Sequence, residues 1–309
     1  MTEAIFVGLD IGGTKTAVGL FDESGECVIS CANPTPSGAD AEQLFPFFCA
    51  TILRAFRKAR ISLDKLKGIG VGVPGAVNSR TGDILFVPNL HALKYVDLKS
   101  SLEEYFGTRV VIDNDANCGA LAEYKYGAGR GAVNMAYVTA STGVGGGLIL
   151  NGKLYRGSNG YAGEVGHVIL DAKSDFICGS GDRGCAEALA SGANFDKWVC
   201  EQRENGINTI MQSPVDGKEV ARAFSQGDEL AERLIKRSAG YIGMLMYNIN
   251  AILDMDRFVL GGGLLHLCSG YIEDVRSAFN ALSKVHVDIA AAELKDDFGI
   301  IGAALLLKE

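Results

Sequence analysis

The chain has 309 residues, 48% hydrophobic and 21% charged, the length of two compact domains and the composition of a globular protein. A small disulfide-stapled module, a disordered chain and a collagenous repeat are excluded. A net charge of -8 with scattered Lys and Arg leaves no basic surface for nucleic acid, and no apolar run reaches the roughly 20 residues that span a bilayer, so neither partner is expected.

Alternating and β-branched apolar runs predict strands over 5–9, 16–21 and 26–31, then a helix over 41–59 and a strand over 68–73. The first of these begins too early to follow a signal peptide, so a cytoplasmic location is expected. A short β-branched run, 109–112, leads into Asp113, Asn114 and Asp115 and an Ala-rich helix through 126. Each of those three polar residues is suited to cap it. The order then repeats: strands over 135–139 and 147–150, a Gly-rich stretch to about 192, helices of which the longest covers 228–253, and a strand over 257–260. A short apolar helix, 299–307, closes the chain. Two stretches that begin with glycine-punctuated strands and end in helices indicate an internally duplicated α/β fold of two lobes.

Asp10 ends the first strand and is followed by Ile11, Gly12, Gly13, Thr14 and Lys15 before a second strand begins. No helix follows, so the turn is a hairpin rather than a P-loop. Its glycines let backbone amides approach an anion, Thr14 and Lys15 offer donors, and Asp10 suits Mg²⁺ held through water. A second cluster, Ser141, Thr142, Gly143, Val144 and Gly145 to Gly147, follows the first strand of the second lobe, and a third, Gly261, Gly262 and Gly263, follows the strand ending at residue 260. Singly, each is also an ordinary glycine turn. Glycine carries an entropic penalty, so three such turns after strands point to one bound nucleotide.

These segments resemble the ROK family of sugar kinases and sugar-responsive repressors, within the actin-like, ribonuclease H-like ATPase superfamily. The carriers are DIGGTK at 10–15, GVPG at 72–75, PNL at 88–90, DNDAN at 113–117, STGVGGG at 141–147, GYAGEVGH at 160–167, GCAEALASG at 184–192 and LGGG at 260–263. The resemblance implies a two-lobed actin-like fold with duplicated βββαβα-type lobes. Residues 1–115 form one, with the C-terminal helix 297–309 packed back on it, and 116–296 the other. It further implies ATP and Mg²⁺, a homodimer, and glucokinase-like phosphorylation of a hexose or N-acetylhexosamine on its 6-hydroxyl. Asp10, Gly12, Gly13, Thr14, Lys15, Thr142, Gly143, Gly262 and Gly263 then belong to the nucleotide.

The aspartate matching Asp115 is the family's general base. A sugar hydroxyl is a poor nucleophile, and a carboxylate within hydrogen-bond reach accepts its proton as the γ-phosphoryl group transfers. Glu164, His167 and Glu187 match residues that grip hydroxyls near C1 and C2, and Asn89 and Asn114 those toward C3 and C4. Gly75 and the segment 89–95 border the sugar and govern its choice, which the sequence leaves open. The helix-turn-helix of the family's repressors has no room in the nine residues before Asp10, and a sugar-binding protein without catalysis would not need Asp115, so a kinase is expected over a regulator or a binding protein.

Two departures from the family pattern stand out. Ser141, Thr142 and Gly143 replace Gly-Thr-Gly. The family's zinc site joins a histidine, here His167, to a Cys-x-Cys-Gly-x-x-Gly-Cys run, which here reads Cys178, Gly179, Ser180, Gly181, Asp182, Arg183, Gly184, Cys185. His167, Cys178 and Cys185 leave a tetrahedral zinc one ligand short, and neutral Ser180 is a poor substitute for a thiolate. Asp175 and Asp182 are nearby carboxylates between which the spacing does not choose, and a metal-free loop held by glycines and an Arg183 ion pair fits it equally. The other six cysteines read as small buried groups.

Overall fold

The structure, a computed structural model, describes residues 4–36, 38–78, 80–87, 90–295 and 297–309. Its elements run β1 (Ile5–Ile11), β2 (Lys15–Phe21), β3 (Cys27–Pro34), α1 (Ala41–Ala59), β4 (Leu66–Val73), β5 (Ala76–Asn78), β6 (Asp83–Phe86), α2 (Leu98–Phe106), β7 (Val110–Asn114) and α3 (Asp115–Tyr126). There follow β8 (Met135–Ala140), β9 (Val144–Leu150), β10 (Lys153–Leu154), α4 (Ala186–Ala190), α5 (Phe195–Glu204), α6 (Gly217–Ser225), α7 (Glu229–Leu253), β11 (Arg257–Gly261), α8 (Tyr271–Leu282), β12 (Asp288–Ala291) and α9 (Phe298–Leu305). The chain divides into two compact units, Met1–Arg130 with Leu154–Ala162 and Glu293–Glu309, and Gly131–Lys153 with Gly163–Ala292.

In the first unit a five-stranded sheet has the order β3-β2-β1-β4-β7. β1 is antiparallel to β2 and parallel to β4, which is parallel to β7. Central β1 buries Ile5, Val7, Leu9 and Ile11 on one face and sets Gly8 on the other, whereas edge strand β3 alternates toward solvent. One face is covered by α1. Asp40 caps it by accepting from the Gln43 amide at 3.0 Å while Gln43 accepts from the Asp40 amide at 3.3 Å, and Leu44, Phe48, Ile52 and Phe56 form its buried stripe.

The other face is covered by α9, and glycine makes that possible. Gly19, Gly8 and Gly70 sit side by side on β2, β1 and β4. A Cβ on Gly8 would stand 1.9 Å from the Ile300 carbonyl oxygen, and one on Gly70 1.7 Å from that of Ala303. The helix therefore lies directly on sheet backbone. Gly302 of α9 meets α3 in the same way, with a Cβ position 1.9 Å from the Cys118 carbonyl oxygen. α3 thus stays with the first unit, whereas the sequence drew the division at 115/116.

The second unit holds a sheet ordered β10-β9-β8-β11-β12, with β8 antiparallel to β9 and parallel to β11. The hairpin-then-parallel order repeats that of the first sheet. α7 starts at Asp228, whose side chain accepts from the Ala231 amide at 2.8 Å, and buries Leu234, Ile242, Leu245 and Ile249. Gly243 lets α8 approach closely, since a Cβ there would be 2.8 Å from the Val275 carbonyl oxygen. Among the described residues no helix is long and apolar enough to cross a membrane.

Candidate active site

In the first unit the end of β7 runs straight into α3, and the capping question is decided there. Asn114 Oδ1 accepts from the backbone amides of Ala116 at 2.7 Å and Asn117 at 3.3 Å, so Asn114 is the cap. Its Nδ2 donates to the Gly75 carbonyl at 2.6 Å, fixing a residue held at φ +92°. Asp115 is then the first helical residue, half-buried, where the positive end of the helix dipole favours a carboxylate.

Asp113 is 1% exposed and does structural work from the same strand end. One oxygen accepts from the Asn114 amide and from Asn117 Nδ2, each at 2.8 Å, and the other from Arg156 Nε at 2.6 Å. A buried carboxylate so paired anchors both the strand end and the segment 154–162 that brings Arg156 to it. Asn89 lies outside the described residues.

The β1–β2 turn is the expected hairpin. The Gly12 amide donates to the Lys15 carbonyl at 3.0 Å, Thr35 Oγ1 donates to the Gly12 carbonyl at 2.7 Å, and Thr14 and Lys15 are exposed. Gly13 lies between Gly12 and Thr14. Asp10, at the strand end, is pressed against α9, where a Cβ on Gly299 would stand 2.4 Å from its Oδ2. Burial raises its pKa to about 6, with Lys15 pulling the other way.

A pH dependence follows from that shift. The folded value lies above the unfolded one, so the folded state is penalised once the group ionises, and stability falls as pH rises from about 4 through about 6. At about 1.4 kcal/mol per unit the penalty above pH 6 reaches up to about 3 kcal/mol. Asp10→Asn is expected to unfold at higher temperature than the parent chain at pH 7.5, with the difference gone near pH 4. Equal melting temperatures at both pH values would contradict it.

In the second unit Thr142 and Gly143 form the tip of the β8–β9 hairpin, closed by the Ser141 amide donating to the Gly143 carbonyl at 2.8 Å. Gly262, at φ +93°, follows β11, and a Cβ on it would stand 2.2 Å from the Ala140 carbonyl oxygen. Both turns therefore meet. Beside them is a cavity of about 430 Å³ lined by Ser141, Thr142, Gly192, Gly263, Asp216, Gly217, Lys218, Ala221, Leu264, His266 and Leu267.

Glu187, in the first turn of α4, reaches the same hairpin: its Oε2 accepts from the Val144 amide at 3.1 Å, and a Cβ on Gly143 would stand 2.6 Å from it. A side chain at 143 would therefore displace the Glu187 carboxylate from the Val144 amide. Glu164 and His167 flank a single turn of 3₁₀ helix, with His167 Nε2 3.8 Å from Glu164 Oε2. Burial raises the Glu164 pKa, opposed by His167 and reinforced by Glu187. A second cluster lies on the other ring nitrogen: ligand atoms of His167, Cys178 and Cys185 lie within 4.8 Å of one another. Burial pushes the Cys185 thiol up to about 12, so a thiolate there needs a cation beside it. All eight cysteines are free.

The sequence profile of the ROK family matches residues 6–309. The chain belongs to the ROK family. A glucokinase of Streptomyces coelicolor is 31% identical over 318 aligned positions, covering 98% of this chain and 97% of that one. An N-acetylmannosamine kinase of Escherichia fergusonii is 33% identical over 311, covering 97% of each. The crystal structure of a ROK family glucokinase from Streptomyces griseus in complex with glucose and AMPPNP superposes with a TM-score of 0.80 at 30% identity, covering 98% and 99%. The two duplicated sheets are accordingly those of the actin-like ATPase fold.

Within this ROK chain the structure gathers Gly75, Asn114 and Asp115 at one strand end of the first unit, and the Asp10 hairpin at another. In the second it gathers Glu164, His167 and Glu187, and sets Thr142 beside Gly262 and Gly263. Sequence reasoning missed Arg156, Asp216, Lys218 and His266. Asp216 had a local signal, because it caps α6 by accepting from the Glu219 amide at 2.8 Å in a D-x-x-E pattern. Arg156 had none.

Proposed function

We propose that this ATP-dependent sugar kinase transfers the γ-phosphoryl group to the 6-hydroxyl of glucose or an N-acetylhexosamine, with Asp115 as general base. The observation that carries the reading is the division of labour at the start of α3. Asn114 caps the helix, and Asp113 anchors the strand end through Arg156 and Asn117. Asp115, the first residue of α3, places its carboxylate where a helix N-terminus favours the anion.

In this reading Asp115 accepts the hydroxyl proton as the oxygen attacks phosphorus, and the other groups supply position and electrostatics. Glu164, His167 and Glu187 hold hydroxyls near C1 and C2. Asn89 and Asn114 bind toward C3 and C4, and Gly75 borders the sugar. The raised pKa of Glu164 suits a carboxyl that exchanges hydrogen bonds with a sugar in a water-poor site. The turn from Gly12 to Lys15 and the pair of turns at Thr142–Gly143 and Gly262–Gly263 hold the phosphates. The 430 Å³ cavity beside the second pair takes the rest of the nucleotide.

Mg²⁺ fits Asp10, whose buried carboxyl is raised toward neutrality and would ionise fully beside a cation. When bound, the ion neutralises charge developing on the phosphates. Zinc fits the two sulfurs and one imidazole nitrogen that converge at His167. A homodimer belongs to the same reading.

The names of the two curated relatives support a hexose or N-acetylhexosamine acceptor, and the AMPPNP and glucose of the Streptomyces griseus structure support ATP as donor. The test is ADP release coupled to a reporter, across glucose, N-acetylglucosamine, N-acetylmannosamine, mannose, fructose and allose. Sugar-dependent ADP formation with glucose or an N-acetylhexosamine is expected. Turnover with none of the six, or with fructose alone, would overturn the substrate assignment.

A further inference from the structure

We propose that Asp182 takes the place of the missing cysteine as the fourth ligand of a zinc ion held by His167, Cys178 and Cys185. The proposal rests on the metal reading above and is independent of which sugar is phosphorylated.

Distances set the first argument. Asp182 Oδ2 lies 3.0 Å from His167 Nδ1, and Cys178 Sγ lies 3.8 Å from the same nitrogen. Ordinary zinc bond lengths in a tetrahedron put nitrogen and oxygen about 3.4 Å apart and nitrogen and sulfur about 3.6 Å apart. About His167 Nδ1 both distances lie within a few tenths of an ångström of those values, whereas Asp182 stands outside the cluster of three ligand atoms within 4.8 Å of one another, so its carboxylate must swing about its own side-chain bonds toward the sulfurs to complete the tetrahedron.

Backbone hydrogen bonds hold Asp182 there. The Cys178 amide donates to the Asp182 carbonyl at 3.0 Å, the Gly181 amide to the Cys178 carbonyl at 3.0 Å, and the Cys185 thiol approaches the Asp182 carbonyl at 3.8 Å. The reversal depends on Gly181 at φ +95° and on Gly184 at φ +63°, where a Cβ would also stand 1.8 Å from the Asp171 carbonyl oxygen. Asp182 therefore joins both sulfurs to one tight turn. Its side chain is 49% exposed, so it closes the site from the solvent side.

The rivals fail on contacts and charge. Asp175 is turned away to Arg183, 2.5 Å from Nη1, and its side chain is 83% exposed. Ser180 is exposed and neutral. Two thiolates and one carboxylate around zinc with a neutral imidazole carry the same net negative charge as three thiolates, whereas a serine hydroxyl leaves the site uncharged. Asp182 restores both the coordination number and the charge that the loss of a cysteine removed. The exchange also substitutes a harder donor, which lowers the site's preference for zinc over oxygen-seeking metals.

Placing the metal on Nδ1 has a consequence for the sugar residues. The ring proton then resides on Nε2, which faces Glu164 and becomes a fixed donor. Asp182 is thus a positioning residue for His167.

The test compares the full-length parent chain with Asp182→Asn, Asp182→Cys and Asp175→Asn. Zinc content is measured by elemental analysis after purification without chelator or metal-affinity tag, zinc affinity by competition with a chromophoric chelator, and the cobalt-substituted forms by visible absorption. One zinc per parent chain is expected. Asp182→Asn should bind it at least about tenfold more weakly, since even outer partners of metal ligands contribute about 10- to 100-fold. Asp182→Cys should bind more tightly and strengthen the thiolate-to-cobalt band from that of two thiolates to that of three, and Asp175→Asn should match the parent. Should Asp182→Asn fail to fold, the cobalt band of Asp182→Cys, which keeps four ligands, decides alone. Zinc held by Asp182→Asn within about twofold of the parent, or an unchanged band in Asp182→Cys, overturns the ligand but not the site. A parent chain without zinc overturns both, and none of these results bears on the sugar assignment.

Discussion

Asp115→Asn is expected to slow sugar phosphorylation by about 10²- to 10⁴-fold, the range over which a positioned general base contributes. Sugar affinity should stay within a few fold. The amide has the shape of the carboxylate and keeps one acceptor oxygen, so what is lost is the proton acceptor, an interaction made in the transition state and not in the ground state. At about 1.4 kcal/mol per decade this corresponds to about 3 to 5 kcal/mol of transition-state stabilisation. The helix should persist, because its cap is Asn114 and the Asn114 bonds to Ala116 and Asn117 are untouched. Steady-state ADP release and calorimetric sugar binding measure the two quantities separately. ADP release near the parent rate in Asp115→Asn, with binding intact, would remove Asp115 from the base role.

Gly70→Ala is expected to give the largest loss of stability from a single added methyl group. Its Cβ would be placed 1.7 Å from the Ala303 carbonyl oxygen, backbone on backbone, and α9 would have to lift from the sheet. Lifting it unseats Ile300, Ala303 and Leu306, all buried, and breaks the close approach of Gly302 to α3. Mutational losses above about 4 kcal/mol come from such unrelieved core clashes. Gly240→Ala is the control. It lies in the interior of α7 with nothing within 4 Å of its Cβ position, so alanine should instead stabilise by about 0.5–1 kcal/mol. Urea midpoints of the two variants should move in opposite directions. A Gly70→Ala midpoint within error of the parent would mean that α9 does not rest on the sheet backbone as described.

The helix over 41–59 was legible from end to end because its signals are local: Asp40 and Gln43 three residues apart at the start, and an apolar stripe at helical spacing along its length. The Asp10 hairpin was legible for a similar reason, since two glycines between β-branched runs leave little alternative to an antiparallel turn. The candidate site residues, a carboxylate at a strand end and a Glu-x-x-His beside glycines, entered through the resemblance to the ROK family, and the chemistry of phosphoryl transfer to a sugar is consistent with those residue types.

What the sequence left open were choices among equivalent local candidates, and these were decided by residues far away in the chain. Asp113, Asn114 and Asp115 were interchangeable as caps until Arg156 claimed Asp113 and Asn114 turned its amide to Gly75. Asp175 and Asp182 were equivalent until Arg183 paired with one and the turn at Gly181 set the other beside His167. Gly8, Gly19 and Gly70 looked like ordinary strand residues, yet they form one rung across three strands whose missing side chains seat a helix from the far end of the chain. Local sequence carries capping and turn preferences of one or two kcal/mol that act within a few residues. Ion pairing and close backbone approach depend on three-dimensional separation, which only the packed chain defines.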